Sequence, residues 1–121
     1  MKHVQFTSLF IAVMACTIAI NSASARTVFD GPWSVTIQTI GGSCSSGASF
    51  GIEIRDGIVL GYGDANMHGR IARNGAVRVS VSSGDQYASG SGRLTPAFGS
   101  GVWRGRGSAG FCAGRWVAQR R

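Results

Sequence analysis

Beyond residue 25 the chain offers little to acid–base, nucleophilic or metal chemistry: one histidine, His68, two cysteines, Cys44 and Cys112, and the acids Asp30, Glu53, Asp56, Asp64 and Asp85. A single histidine supports neither a histidine metal cluster nor a histidine-assisted nucleophile with a second histidine behind it. Asp30, Asp56, Asp64 and Asp85 fall at turns, where short carboxylates bond nearby backbone, and Glu53 lies on a strand's outer face. No carboxylate pair is thereby placed for acid–base hydrolysis. Gly105-Arg106-Gly107-Ser108-Ala109-Gly110 spells the Gly-x-Gly-x-x-Gly of dinucleotide sites. That motif works between a strand and a helix, whereas here a second strand pattern follows. The residues therefore point away from an enzyme, and they call for no cofactor and no metal.

The chemistry that is abundant is cationic. Residues 26–121 hold eleven arginines and no lysine against five acids, a formal +6, and the charge is uneven. Residues 26–65 carry Arg26 and Arg55 against four acids, net −2, while residues 66–121 carry nine arginines against Asp85, net +8. Guanidinium groups fork onto carboxylates and phosphates, so a clustered set is a candidate anion-binding surface; solubility is the plainer use of the same charges.

Whether these arginines cluster depends on the elements that carry them. Trp33, Val35 and Ile37 alternate with Ser34, Thr36 and Gln38, and Phe50, Ile52 and Ile54 alternate with Gly51, Glu53 and Arg55. Period-two alternation with turn signals every eight to twelve residues or so describes half-buried strands in an all-β meander. Eight strands are expected near 33–39, 49–54, 58–62, 67–72, 76–82, 87–94, 99–107 and 112–119. Arg55-Asp56-Gly57 and Arg73-Asn74-Gly75 read as three-residue hairpin loops with a glycine bulge, and Gly84-Asp85 as a two-residue loop. The first loop sets Ile54 opposite Ile58, Ile52 opposite Leu60 and Phe50 opposite Tyr62. The second sets Ile71 opposite Val77, and the third sets Val81 opposite Ala88. Four-residue connections at 63–66, 95–98 and 108–111 keep the parity, so every apolar set shares one face.

That register sends Arg70, Arg78, Arg93, Arg104, Arg106 and Arg115 outward, with Tyr87 across from Arg106 and Arg104 across from Arg115. It also accounts for the glycines, 19 in all and about a fifth of residues 26–121, against a usual share of about 7%. Gly90 opposite Trp103, Gly92 opposite Gly101, Gly105 opposite Gly114 and Trp103 across from Trp116 put glycines on the interior face beside indole rings. Trp33, Trp103 and Trp116 then form an apolar core or pocket.

The compartment follows from the N-terminus. Lys2 and His3 precede the apolar run Leu9 to Ile20, and Ala23-Ser24-Ala25 supplies a small-residue cleavage site, the layout of a secretory signal peptide over residues 1–25. Val13-Met14-Ala15-Cys16 resembles a lipoprotein box, but the apolar run continues past Cys16. Cleavage leaves one small domain, residues 26–121, in an oxidising periplasmic or extracellular setting, with Cys44 and Cys112 expected to be bonded. In an eight-stranded meander the end of the first strand and the start of the last share a pole. A Cys44–Cys112 bridge would staple the seam of a closed or nearly closed up-and-down barrel.

The stretches "FDGPWSVTIQT", "NGAVRVSVSSGDQYASGSGRL" and "GSGVWRGRGSAGFCAGRWVAQRR" resemble a group of short exported alphaproteobacterial proteins of uncharacterised function, some of them labelled with haem utilisation or adhesion. The resemblance implies that the secreted, two-cysteine β design is a family trait. It contributes no catalytic residue, and a haem role would rest on His68 and Met67 as axial-ligand candidates. Gly31-Pro32-Trp33 also resembles the Gly-x-Trp of calycins, the lipocalin and avidin type of ligand barrel, with Arg115 or Arg120 on the last strand near it.

Two function classes emerge. In the leading one, a non-enzymatic exported module turns its arginine-rich outer face to an anionic partner: an envelope polysaccharide, lipopolysaccharide or an acidic protein. Nucleic acid fits the same charges, but export argues against it. The alternative is a calycin-like carrier or inhibitor holding a small apolar ligand near Trp33, Trp103 and Trp116.

Overall fold

The alternating segments pair in sequence order as eight strands: β1 (Gly31–Gly41), β2 (Gly47–Arg55), β3 (Ile58–Gly61), β4 (Asn66–Ile71), β5 (Ala76–Ser83), β6 (Gln86–Leu94), β7 (Phe98–Gly107) and β8 (Gly110–Arg120). The structure, a computed structural model, describes residues 26–45, 47–61 and 66–121. The leader expected at 1–25, Tyr62 with its expected pairing to Phe50, and Asp64 lie outside the described residues. Each strand runs antiparallel to the next and β8 pairs with β1, from Trp33↔Arg120 to Gly41↔Ala113, closing the barrel. Closure leaves no strand edge to template aggregation. Cys44, just past β1, is bonded to Cys112 near the start of β8, with Cα atoms 6.0 Å apart.

Two of the turns read from sequence set the observed register. Ala72 N–H donates to Ala76 O (2.8 Å) around Arg73-Asn74-Gly75, with Gly75 at φ +88°, and Ile71 faces Val77. Gly84-Asp85 closes a two-residue loop that sets Val81 opposite Ala88, Val79 opposite Gly90 and Val77 opposite Gly92.

β3 differs from the sequence reading by one residue. Ile54 faces Val59 and Arg55 faces Ile58, so the first hairpin turns on Asp56-Gly57 alone, at φ +54° and +75°. Both central residues left-handed is the two-residue geometry whose twist matches paired strands. Val59 consequently points inward at 2% exposure, while Ile58 and Leu60 stand outward at 45% and 38%. β4 absorbs the slip by pairing Val59 with Gly69, so its own inward set, Met67, Gly69 and Ile71, is unchanged.

The β7–β8 hairpin is tighter than expected by two residues. Gly107 pairs with Gly110 across Ser108-Ala109, so Trp103 faces Gly114, Gly101 faces Trp116 and Gly105 faces Cys112. The pairings of Trp103 with Trp116, of Gly105 with Gly114 and of Arg104 with Arg115 are therefore corrected: Arg104 faces Ala113, and Arg115 faces Val102. A two-residue shift preserves which side chains point inward, so the faces survive although the partners change.

The glycines do open floor space for the indoles, over these corrected partners. A Cβ on Gly92 or Gly101 would stand 2.6 Å from the Trp116 ring, and one on Gly114 would stand 2.8 Å from Trp103 Nε1. Trp116 crosses β7 to donate to Ser91 O (3.2 Å), and Trp103 crosses β8 to donate to Gln38 O (3.1 Å). The two rings thus lie in opposite directions over bare backbone. The inner face is apolar and arginines line the outer one, the reverse of the polarity of a membrane-spanning barrel.

Candidate binding site

One pole of the barrel is sealed by the segment that leads into β1. Residues 26–30 bring Phe29 against the core, and the fully buried Trp33 donates its indole N–H to Phe29 O (2.8 Å). Arg120, the direct partner of Trp33 across the β1–β8 seam, lays its guanidinium over that indole, 4.9 Å from the ring centroid. Its nitrogens donate to Pro96 O (2.7 Å), Asp30 O (2.6 Å) and Val28 O (2.6 Å), tying the entry segment, the 95–97 turn and the first strand together. Of the two arginines offered by sequence, Arg120 lies against Trp33, and Arg115 points outward. The parity that puts Trp116 and Ala118 inside already puts Arg120 inside.

Asp30 completes the seal. Its carboxylate accepts from the Thr27 hydroxyl (2.6 Å) and from the main-chain N–H groups of Asp56 (2.8 Å) and Gly57 (3.2 Å), clamping the β2–β3 turn. Burial pushes this carboxyl up, but the Thr27 hydroxyl and the backbone donors outweigh it and hold the group below the ordinary aspartate range. Phe29 and Asp30 as plug and clamp were not read from sequence; the Thr27-x-x-Asp30 spacing alone does not say which distant turn the carboxylate meets.

Above the seal the interior encloses a cavity of about 180 Å³, lined by Trp33, Trp103, Trp116 and the inward aliphatic residues of β1–β6 with Ala118 of β8. No ionisable side chain lines it, and all three indole N–H groups are spent on main-chain carbonyls. At Gly90 a Cβ would meet Trp116 Nε1 and Val102 O at 3.6 Å, ordinary contact distances, so that position is less crowded than Gly92 or Gly101. Burial falls along the axis. Toward the disulfide pole the described lining residues Ile37, Met67, Val81, Ala88 and Trp103 are half-buried and Phe50 is 36% exposed, so the apolar interior has its mouth there.

The outward arginines are where sequence parity places them: Arg70, Arg78, Arg93, Arg104, Arg106 and Arg115 are all exposed, as is Tyr87 across from Arg106. They do not form one site. Arg78, Arg104 and Arg115 line a shallow outer groove of about 930 Å³ with His68, whereas Arg93 borders a separate hollow near Thr95 and Phe98. Arg106 stacks over Phe111, 5.2 Å from its centroid, and lines a hollow with Tyr87 near the disulfide pole. Arg70 stands directly opposite Arg78. Met67 and His68, being consecutive on β4, point to opposite faces, Met67 into the barrel and His68 out, so they do not converge on one metal. Among the described residues no three His, Cys, Asp or Glu side chains gather. Comparison with protein-family models, with curated proteins and with solved structures finds no match to this chain.

Proposed function

We propose that this chain is an exported, non-enzymatic binding barrel that holds a small apolar molecule among Trp33, Trp103 and Trp116, with entry at the disulfide pole. One observation carries this reading: an apolar cavity of about 180 Å³ that is sealed at one pole and open at the other. Water that enters from the open pole meets an almost wholly apolar lining, so an apolar group that displaces it is favoured, and an apolar cavity of about 150 Å³ elsewhere is known to take up benzene.

The lining sets the ligand's chemistry. With no ionisable group and no unspent indole donor, it rewards a hydrocarbon or aromatic body and penalises any polar atom carried inside. The volume admits a single ring or a short acyl segment. Arg120 against Trp33 of Gly31-Pro32-Trp33 supports the calycin-like alternative from the sequence, and the outer arginines stand as a separate surface.

The test is native mass spectrometry of protein expressed from the full sequence and exported to a bacterial periplasm, followed by thermal shifts with indole and hexanol. We expect a retained apolar molecule, or a Tm raised by indole and by hexanol. Gly90→Val should remove the effect while keeping the fold. No retained molecule and no shift with either probe would return the cavity to the status of a loosely packed core.

A further inference from the structure

The outer face of β4–β8 presents two rows of side chains that cross the strands. One runs His68, Ser80, Ser89, Arg104, Ala113, and the next runs Arg70, Arg78, Ser91, Val102, Arg115, each residue directly opposite its neighbour. Ser80, Ser89 and Ser91 give the middle of the rows a short, hydroxylated floor, while Arg78, Arg104 and Arg115 rise around it and line a groove of about 930 Å³. From β4 to β8 the rows span four interstrand steps, about 19 Å at the usual strand spacing.

The groove is electrostatically one-sided. The only acid in residues 66–121 is Asp85, in the turn between β5 and β6, and it lies outside the groove lining. Arg70 directly opposite Arg78 is a like-charge pair, unfavourable until an anion stands between or above them. Some hydroxyls of the barrel are turned to the protein, Thr39 to Ser45 O (2.6 Å) and Thr95 to Phe98 O (2.9 Å). Those of Ser80, Ser89 and Ser91 bond no other described residue and face outward between the guanidinium groups.

We propose that this groove binds a linear acidic polysaccharide, its carboxylates forked by Arg78, Arg104 and Arg115 and its hydroxyls bonded by Ser80, Ser89 and Ser91. Cations and hydroxyls side by side suit a chain of acidic sugars, and Val102, 57% exposed among them, offers an apolar spot to a sugar ring's C–H face. Nucleic acid in single strands asks for several exposed aromatic platforms, and the aromatic residues of this groove are the His68 imidazole and the half-buried Trp103, whose ring also lines the interior. A lipid surface asks for a broad apolar face beside the cations, and Val102 is the only large aliphatic side chain in the rows. The proposal is independent of what fills the barrel.

Oligogalacturonate is the probe, titrated into protein expressed from the full sequence at low and physiological salt, with neutral dextran oligomer as control. Arg78→Gln/Arg104→Gln/Arg115→Gln should weaken oligogalacturonate binding about 30-fold or more, because three charge-assisted forks are lost. Arg73→Gln/Arg93→Gln/Arg106→Gln removes the same charge from the same half, at exposed positions outside the groove lining, and should weaken it about threefold or less, through the general field. Both triples keep polar stems at exposed positions, and matched Tm values confirm the fold. Equal weakening in the two triples, binding of dextran as tight as oligogalacturonate, or tighter binding at equal salt of single-stranded DNA or anionic vesicles would each overturn the site. Repeating the titration in Ala88→Leu, a change at an inward residue that lines the cavity and not the groove, should give an unchanged affinity; a loss there would place the probe inside the barrel and also overturn the groove.

Discussion

The two poles of the barrel are built by different means. At the entry pole, closure is non-covalent: Phe29 plugs, Trp33 and Arg120 stack, and Arg120 and Asp30 together reach six hydrogen-bonding groups on Thr27, Val28, Asp30, Asp56, Gly57 and Pro96. At the other pole the inward side chains are half-buried, and the seam is held by the Cys44–Cys112 bond with Cys44 N–H donating to Cys112 Sγ (3.1 Å). A pole that packs shut can stabilise itself through burial and charged hydrogen bonds. A pole that keeps a mouth gives up that burial, and a covalent tie on its rim offsets the loss without filling it.

Removing the disulfide gives the largest expected effect. Cys44→Ala/Cys112→Ala frees a loop of 67 residues and should cost about 4 kcal/mol by the chain-entropy estimate. If the poles differ as argued, hydrogen exchange should quicken first at 39–45 and 107–113 while 29–33 and 118–120 keep their protection. Uniform acceleration would mean the two ends form one cooperative unit and the contrast is empty.

Next comes the crowded floor beneath the rings. Gly101→Val drives a side chain into Trp116 and should cost about 3 kcal/mol, at the upper end of ordinary overpacking. Gly90→Val, which meets only ordinary contacts, should cost less than about 1 kcal/mol. Urea midpoints decide it, and similar losses at the two glycines would show that the cavity beside Gly90 is not open.

Arg120→Lys keeps the charge but loses the planar fork that reaches three carbonyls over an indole. We expect a loss of about 2 kcal/mol, the worth of one or two hydrogen bonds from a charged donor. The same change at Arg115, exposed on the outer face, should leave the midpoint within about 0.5 kcal/mol. Equal effects would contradict the assignment of Arg120 to the seal.

The smallest effect is acid-dependent. The Asp30 carboxyl is held below its ordinary value in the folded chain, so its contribution is complete above the unfolded pKa and fades as pH falls through the folded one. Asp30→Asn should therefore lower Tm modestly at pH 7, and the difference should shrink as pH falls through the depressed folded value, where the wild-type carboxyl takes up its proton. A Tm difference that does not shrink in acid would assign Asp30 a role other than this charged clamp.

Alternation and turn residues were enough to read the eight strands, the face of nearly every side chain, the cysteine pair and the outward set of arginines. Strict alternation makes each of these costly to violate: a one-residue slip in β5 would turn Val77, Val79 and Val81 to solvent together. β3 was not legible because Ile58, Val59 and Leu60 are apolar in both registers, leaving alternation silent. There the register goes with the two-residue Asp56-Gly57 turn, which the Asp30 carboxylate holds through the Asp56 and Gly57 amides. The partners across β7–β8 were likewise undetermined, since loops of two and four residues give identical faces. Only the closed barrel could decide which arginines share a groove, which one caps Trp33, and that a cavity remains. Those depend on distances between strands far apart in the chain, and on volume left over after packing, neither of which a local pattern encodes.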